Sequence, residues 1–252
     1  MMSTASLLAE DEAPPFRIEN PAGGSPILFT ADHAGRVIPR ALGDLGLTEP
    51  DLSRHIAWDI GIAGVTSRLA KLLDATAIFQ TYSRLVIDCN RRPDVPGAFP
   101  AVSEATPIPG NQNLTEAEKL ARRTAIFDPY HEAIAALKTG RIYIAMHSFT
   151  PVYLGDARPM QVALLYNRNP RLSRAMAELL RAEGDLAVAE NQPYYVSDET
   201  DYGVPVHAER AGLDYLEIEI RQDLIAEASG QQEWADRLAR LLPLAVEILK
   251  GA

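Results

Sequence analysis

The sequence predicts an α/β fold, a single three-layer domain with helices on both faces of a central sheet. Two observations lead there. Short apolar runs with strand character alternate with stretches of helical periodicity, the pattern of a sheet wrapped by helices. The length of 252 residues, 47% of them hydrophobic, also suits one sizeable core better than two small ones. No repeat, low-complexity tract or linker interrupts residues 21–252, whereas residues 1–20, acidic and ending in prolines, read as a loose, flexible arm.

Each element has its own local signal. Ile27–Thr30 follows the turn signal Ala22-Gly23-Gly24-Ser25-Pro26 and reads as a strand ending near His33. Glu49-Pro50-Asp51 opens a helix expected to run to Leu73, with Gly61 and Gly64 as points where it can break. Ala77–Thr81 and Leu85–Asp88 read as short strands. The proline-rich stretch from Arg92 to Gly110 reads as a surface loop, and a loop that long in a compact domain is often functional. A helix starts at Thr115 and extends to Lys138 with a kink at Pro129. Arg141–His147 is apolar enough for a buried central strand. Val162–Tyr166 and Tyr215–Ile220 are further strands, and Pro170–Glu183 and Gln231–Leu249 further helices, the last with Pro243 inside it. Strand order cannot be read from such signals, so a mixed sheet fits as well as a parallel one.

Composition narrows the partners. A net charge of −10 and a pI near 5.0 argue against long-range attraction to nucleic acid or anionic lipid. Cys89 is the one cysteine, which excludes an intrachain disulfide and a thiolate metal cluster and fits a reducing cytoplasm. Nothing near Cys89 in sequence supplies the base or the depressed pKa that a nucleophile needs. No apolar run approaches the ~20 residues of a membrane span, and the N terminus lacks the basic and apolar regions of a secretory signal. The expectation is a cytoplasmic protein with no membrane or nucleic-acid partner; oligomeric state is not readable.

His33 and His147 each close a predicted strand, and ligands of open α/β sheets bind at strand ends. Two neutral imidazoles there can share one metal ion; alternatively each is a core histidine satisfied by backbone. A third ligand would be a carboxylate. Asp59, between Trp58 and Ile60 on an apolar segment, is one candidate, although it also fits a helix cap near Gly61. Asp32 is the competing one. In Leu216–Arg221 the strand period places Glu217, Glu219 and Arg221 on one side, where a glutamate can act as general base if the strand is interior. An edge strand with one wet face gives the same pattern. Arg84, Asn90 and Arg91 around the Leu85–Asp88 run can clamp an anion, with Asp88 holding one arginine. Ser148 follows His147, and His207 lies in a loop from which it can overhang a site and bind substrate. His55 and His131 read as solvated or helix-packing residues. No GxSxG, GxGxxG or GxxxxGK[ST] motif occurs.

Taken in order, Ala31-Asp32-His33-Ala34-Gly35, Asp59-Ile60-Gly61, Ser83 to Arg91, Met146-His147-Ser148 and Glu217 to Leu224 resemble the N-formylglutamate amidohydrolase family over about Ile27 to Leu249. The resemblance implies a three-layer α/β/α fold with a central mixed sheet, similar to zinc exopeptidases and of the phosphorylase/hydrolase-like kind. It implies a divalent metal, Zn2+ the expected ion, on His33, His147 and an acidic third ligand, for which Asp59 is the choice, with Glu219 as general base; Glu217, on the same side of the strand, is the second catalytic candidate. Asn90-Arg91 is similar to the pair by which zinc carboxypeptidases hold a substrate carboxylate. The implied substrate is a small N-acyl amino acid, N-formylglutamate being one candidate. One departure stands out: those carboxypeptidases carry a metal-binding glutamate three residues after the first histidine, where this chain has Arg36. A non-catalytic relative that binds a carboxylate without metal is therefore the alternative, and an enzyme using the same metal on a different C–N or ester substrate a third reading.

Overall fold

Alternating side chains in the apolar runs supply two separate cores, one on each face of a sheet. The computed structural model describes residues 6–251; residues 1–5, the start of the expected arm, and residue 252 lie outside the described residues. The strands are β1 (Phe16–Glu19), β2 (Ile27–Ala31), β3 (Thr76–Gln80), β4 (Val102–Ser103), β5 (Thr106–Pro107), β6 (Ile142–Phe149), β7 (Val152–Tyr153), β8 (Asp156–Ala157), β9 (Val162–Leu165), β10 (Val188–Glu190) and β11 (Tyr215–Arg221). The helices are α1 (Glu49–Leu52), α2 (Ile62–Leu72), α3 (Glu116–Arg122), α4 (Asp128–Leu137), α5 (Arg171–Ala182) and α6 (Ala228–Gly251).

Seven strands form the main sheet in the order β1-β3-β2-β6-β11-β9-β10. β3, β2, β6 and β11 run parallel, β1 is antiparallel to β3, and β9 is antiparallel to β11, so the sheet is mixed. On one face Phe29, Met146, Leu164 and Ile218 pack against Val65 and Leu69 of α2, Met176 of α5 and Leu238 of α6. On the other, Leu28, Tyr143, Ala145 and Tyr215 meet Tyr130 and Ile134 of α4 and Val204. That is the expected three-layer arrangement. No helix among the described residues is long and apolar enough to cross a membrane.

Several local expectations need correction. Phe16–Glu19, placed in the loose arm, pairs with β3 as an edge strand. The helix expected from Glu49 to Leu73 is two helices separated by turns over 53–61. α1 starts with a capping box between Thr48 and Asp51. Gly61 begins α2 with φ of 81°, and a Cβ there would sit 2.0 Å from the Ile225 carbonyl oxygen, so the break is built on glycine. Leu85–Asp88 is no strand: Val86 N–H donates to the Ser83 carbonyl at 2.9 Å and Asp88 N–H to the Ala98 carbonyl at 2.8 Å. Its apolar residues are fully buried in turns, which gives a strand-like composition without a ladder. At Pro129 the helix does not stop. A π-helical turn, Arg123–Phe127, absorbs the missing donor and α4 continues. β10 and a π-helical turn at Gly203–Ala208 were not foreseen.

Candidate active site and metal centre

Three parallel strands end at the same place. His33 lies two residues beyond β2, His147 is on β6, and Glu217 and Glu219 are on β11. The register pairs Glu219 with His147 and Glu217 with Ala145. Period two then turns His147, Glu217 and Glu219 toward the same face, above the C-terminal ends of the strands. Asp59 arrives from the break between α1 and α2, where its backbone N–H donates to the His33 carbonyl at 2.9 Å.

His33, Asp59 and His147 are each only 3% exposed, and one ligand atom from each lies within 4.8 Å of the others. Asp59 Oδ2 is 3.0 Å from His147 Nδ1, and Asp59 Oδ1 is 3.5 Å from His33 Nδ1. The far side of each imidazole faces another carboxylate: His33 Nε2 is 2.7 Å from Asp88 Oδ1, and His147 Nε2 is 3.9 Å from Asp32 Oδ2. Asp32, the competing ligand candidate, thus stands behind His147, with Tyr130 Oη donating to its Oδ1 at 2.6 Å. An imidazole hydrogen-bonded to a carboxylate behind it and presenting its other nitrogen forward is the arrangement of a metal-ligating histidine, and His33 has it; His147 Nε2 has no hydrogen-bond partner. Buried His33 Nδ1 has no hydrogen-bond partner. This donor set, two nitrogens and a carboxylate, fits a divalent cation.

The electrostatics point the same way. Burial and the Arg84 charge push the His33 pKa down, but Asp88 and Asp59 outweigh them and raise it. Burial also opposes the charged form of His147, yet Asp59, Glu217 and Glu219 lift its pKa well above the ordinary value. Burial would raise Asp59, but the two histidines hold its carboxyl well below the usual carboxylate range. The cluster therefore favours added positive charge, which a metal supplies in place of protons. On β11 burial raises Glu219 to about 7 and Glu217 to about 8, with His147 opposing both shifts. Glu219 Oε2 has no partner.

These residues line a cavity of about 270 Å³ together with Arg84, Asn90, Arg91 and Ser148. Each of the four is already engaged. Arg84 donates to Asp88 Oδ2 from Nε at 3.1 Å and Nη2 at 2.7 Å, so Asp88 does hold an arginine, while Nη1 is 3.5 Å from Asp59 Oδ1. Arg91 Nη1 donates to Asp201 Oδ1 at 2.9 Å and to the Thr200 carbonyl at 2.7 Å. Asn90 Oδ1 accepts from the N–H groups of Tyr202 and Gly203 at 3.2 and 3.0 Å. Ser148 supplies its N–H to Asp59 Oδ2 at 3.1 Å and its hydroxyl to the Ile60 carbonyl at 2.9 Å. Asn90 and Ser148 hold neighbouring segments in place, whereas Arg84 and Arg91 keep further N–H donors.

The sequence profile of the N-formylglutamate amidohydrolase family matches residues 25–226, most of the chain. The chain belongs to this family. Its fold is similar to the crystal structure of the gene product Atu2144 from Agrobacterium tumefaciens, with TM-score 0.92 and 38% identity over 97% of this chain and 99% of that one. It is also similar to N-formylglutamate amidohydrolase from Ralstonia eutropha JMP134, with TM-score 0.69 and 22% identity over 95% of this chain and 100% of that one. No curated protein matches the sequence.

In this member of the N-formylglutamate amidohydrolase family, two expected substrate-binding residues do not line the cavity. Arg221 ends β11, donates to Asp223 Oδ1 at 2.8 Å, and reaches the carbonyls of Arg158 and Pro159 at 3.4 Å. His207, expected in an overhanging loop, is 3% exposed in the Gly203–Ala208 turn. Its Nε2 is 2.9 Å from His131 Nδ1, and His131 Nε2 is 2.9 Å from the Cys89 carbonyl. The carbonyl can only accept, so His131 donates from Nε2 and accepts from His207 Nε2–H. Arg36 also lies outside the cavity, on Ser53 Oγ at 3.0 Å, and Asp59 stands where the two histidines need a carboxylate. Cys89 is buried, which raises its thiol pKa well above normal. Sequence reasoning missed His55, Glu104, Asp201 and the tyrosines Tyr153, Tyr194 and Tyr195 in the lining. They come from loops and short hairpins without periodicity; the Tyr194-Tyr195 doublet in a polar stretch was the one visible signal.

The His131–His207 pair makes stability depend on pH. Burial depresses His207 to about 3, and burial with the His207 charge puts His131 well below 6.5. Both stay neutral in the fold but bind a proton when unfolded, so their contribution is complete above the unfolded pKa and declines as pH falls below about 6.5. Each histidine adds a slope approaching about 1.4 kcal/mol per pH unit. Urea unfolding of His207→Phe between pH 7 and 5 should show a slope shallower by about one histidine; an unchanged slope would contradict the neutral pair.

Proposed function

We propose that the chain is a metal-dependent amidohydrolase that cleaves the amide bond of an N-acyl amino acid, with N-formylglutamate the first candidate. The observation that carries this reading is Glu219, a buried carboxyl with a free oxygen, one strand from the His33–Asp59–His147 cluster. His33, Asp59 and His147 would hold the ion, and Zn2+ suits two nitrogens and one carboxylate with a position left open. When bound, such an ion supplies a Lewis acid for the amide carbonyl and lowers the pKa of water.

The side chains supply the rest. Glu219 accepts a proton from the attacking water, whose oxygen bonds to the acyl carbon. As the C–N bond breaks, Glu219 returns that proton to the leaving nitrogen, and the carboxylic acid formed gives its remaining proton to the released amine, leaving a carboxylate and a free amino acid. A pKa near 7 suits both transfers. Arg84, whose Nη1 lies 3.5 Å from Asp59 Oδ1, would stabilise negative charge growing on the carbonyl oxygen. Arg91 keeps donors for the α-carboxylate next to the amide. Glu217, which burial raises to about 8, stands beside Glu219 on the same face of β11.

The test is amine release from N-formyl and N-acetyl amino acids and from matched esters, with and without a chelator. The reading expects hydrolysis of amides, abolished by chelation and restored by Zn2+. Turnover indifferent to chelation would refute metal dependence, and turnover of esters alone would move the substrate class.

A further inference from the structure

The two arginines that line the cavity are not free. Arg84 is paired with Asp88 at 2.7 Å and Arg91 with Asp201 at 2.9 Å. A substrate with two carboxylates entering a cavity that also holds Asp59, Glu217 and Glu219 needs a cation that no protein carboxylate has taken.

Arg158 meets that need. Its backbone N–H donates to the Pro151 carbonyl at 2.8 Å, closing the β7–β8 hairpin, and Arg221 holds the carbonyls of Arg158 and Pro159 from below. The guanidinium carbon lies 4.8 Å from the Tyr153 ring centroid and 4.9 Å from that of Tyr194, and Nη1 donates to Tyr194 Oη at 2.8 Å. Both tyrosines line the cavity. Among the described residues no carboxylate oxygen lies within 4.0 Å of Arg158, which is half-buried. Contact with two aromatic rings fixes the guanidinium plane and leaves edge donors for a planar anion.

We propose that Arg158, with Tyr194 Oη, receives the side-chain carboxylate of an acidic N-acyl amino acid and sets the preference for that class. Position decides which carboxylate. Tyr153 and Tyr194 are 38% and 41% exposed and form the mouth, whereas the His33–Asp59–His147 cluster lies in the buried interior. An α-carboxylate, two bonds from the amide nitrogen, stays inside near Arg91, and the carboxylate at the far end of the side chain reaches the mouth. The substrate's identity rests on the amidohydrolase reading.

The test measures binding by calorimetry in the Zn2+-loaded Glu219→Gln chain, which spares the ligand. The ligands are N-formyl-L-glutamate and N-formyl-L-glutamine, which differ only in the side-chain charge. The glutamate compound should bind at least about 10-fold tighter, as for a charge-assisted hydrogen bond. Adding Arg158→Gln should bring the ratio within about twofold while leaving the glutamine compound unaffected, and Arg158→Lys should restore part of it. A ratio that survives Arg158→Gln overturns the proposal, and so does the absence of any glutamate preference at the start, including no binding of either compound. If the wild-type chain hydrolyses neither compound while the ratio still collapses, the Arg158 subsite stands and the amidohydrolase reading falls.

Discussion

Replacing Glu219 by Gln should lower turnover of the best N-acyl substrate by about 100-fold or more, with metal content unchanged. Glu219 is the carboxyl on β11 that the register sets against His147, and one of its oxygens has no partner. The amide keeps the shape and still hydrogen-bonds but cannot take the water's proton. Because the base must be ionised, kcat/KM in the wild type should rise with pH through the Glu219 pKa. Burial sets that value at about 7, and a bound cation favours the ionised form and brings the limb to or below it. The Gln variant should lose this limb. Near-normal turnover, or an unchanged acid limb, would remove Glu219 from the mechanism and pass its role to Glu217.

Asp59→Asn should have an effect at least as large, by a different route. Asp59 joins both imidazoles, at 3.0 Å from His147 Nδ1 and 3.5 Å from His33 Nδ1, and Ser148 N–H holds it in place. Losing its charge removes the anionic member of the donor set. It also removes a main influence that raises His33 and His147. Metal should dissociate on dialysis, and turnover should fall by about 1,000-fold, equal to a Lewis-acid contribution of several kcal/mol. An Asn variant that retains its metal and activity would show that Asp59 is not a ligand, leaving Asp88 or Asp32 for that place.

What could be read from the sequence follows from apolar runs and their period. Ile27–Ala31 and Ile142–Phe149 are short, nearly continuous apolar runs and Tyr215–Arg221 alternates, so their status as strands and the common side of Glu217 and Glu219 were legible. His33 and His147 were legible as strand-end residues. Asp59 was visible as a carboxylate in an apolar setting, and Gly61 marked the break that delivers it. Periodicity failed where burial occurs without a ladder. Leu85, Val86 and Ile87 are apolar because they fill the core from turns. It also failed for Arg221: the alternation places it with the glutamates, but Asp223, two residues on, captures it beyond the cavity. His207 looked like a loop residue because the π-helical turn that buries it has no distinctive spacing. The tyrosines and Arg158 at the mouth come from a hairpin and a loop whose meeting depends on tertiary contacts alone.

Metal content tests the central claim most directly. The wild-type chain and the His33→Ala, His147→Ala double variant, purified without added metal or chelator, would be assayed by elemental mass spectrometry, with circular dichroism to confirm folding. The account predicts about one divalent metal per wild-type chain and none in the folded double variant. A wild-type chain that carries no metal, even after incubation with Zn2+, would contradict it and favour a carboxylate-binding member of the family without this chemistry.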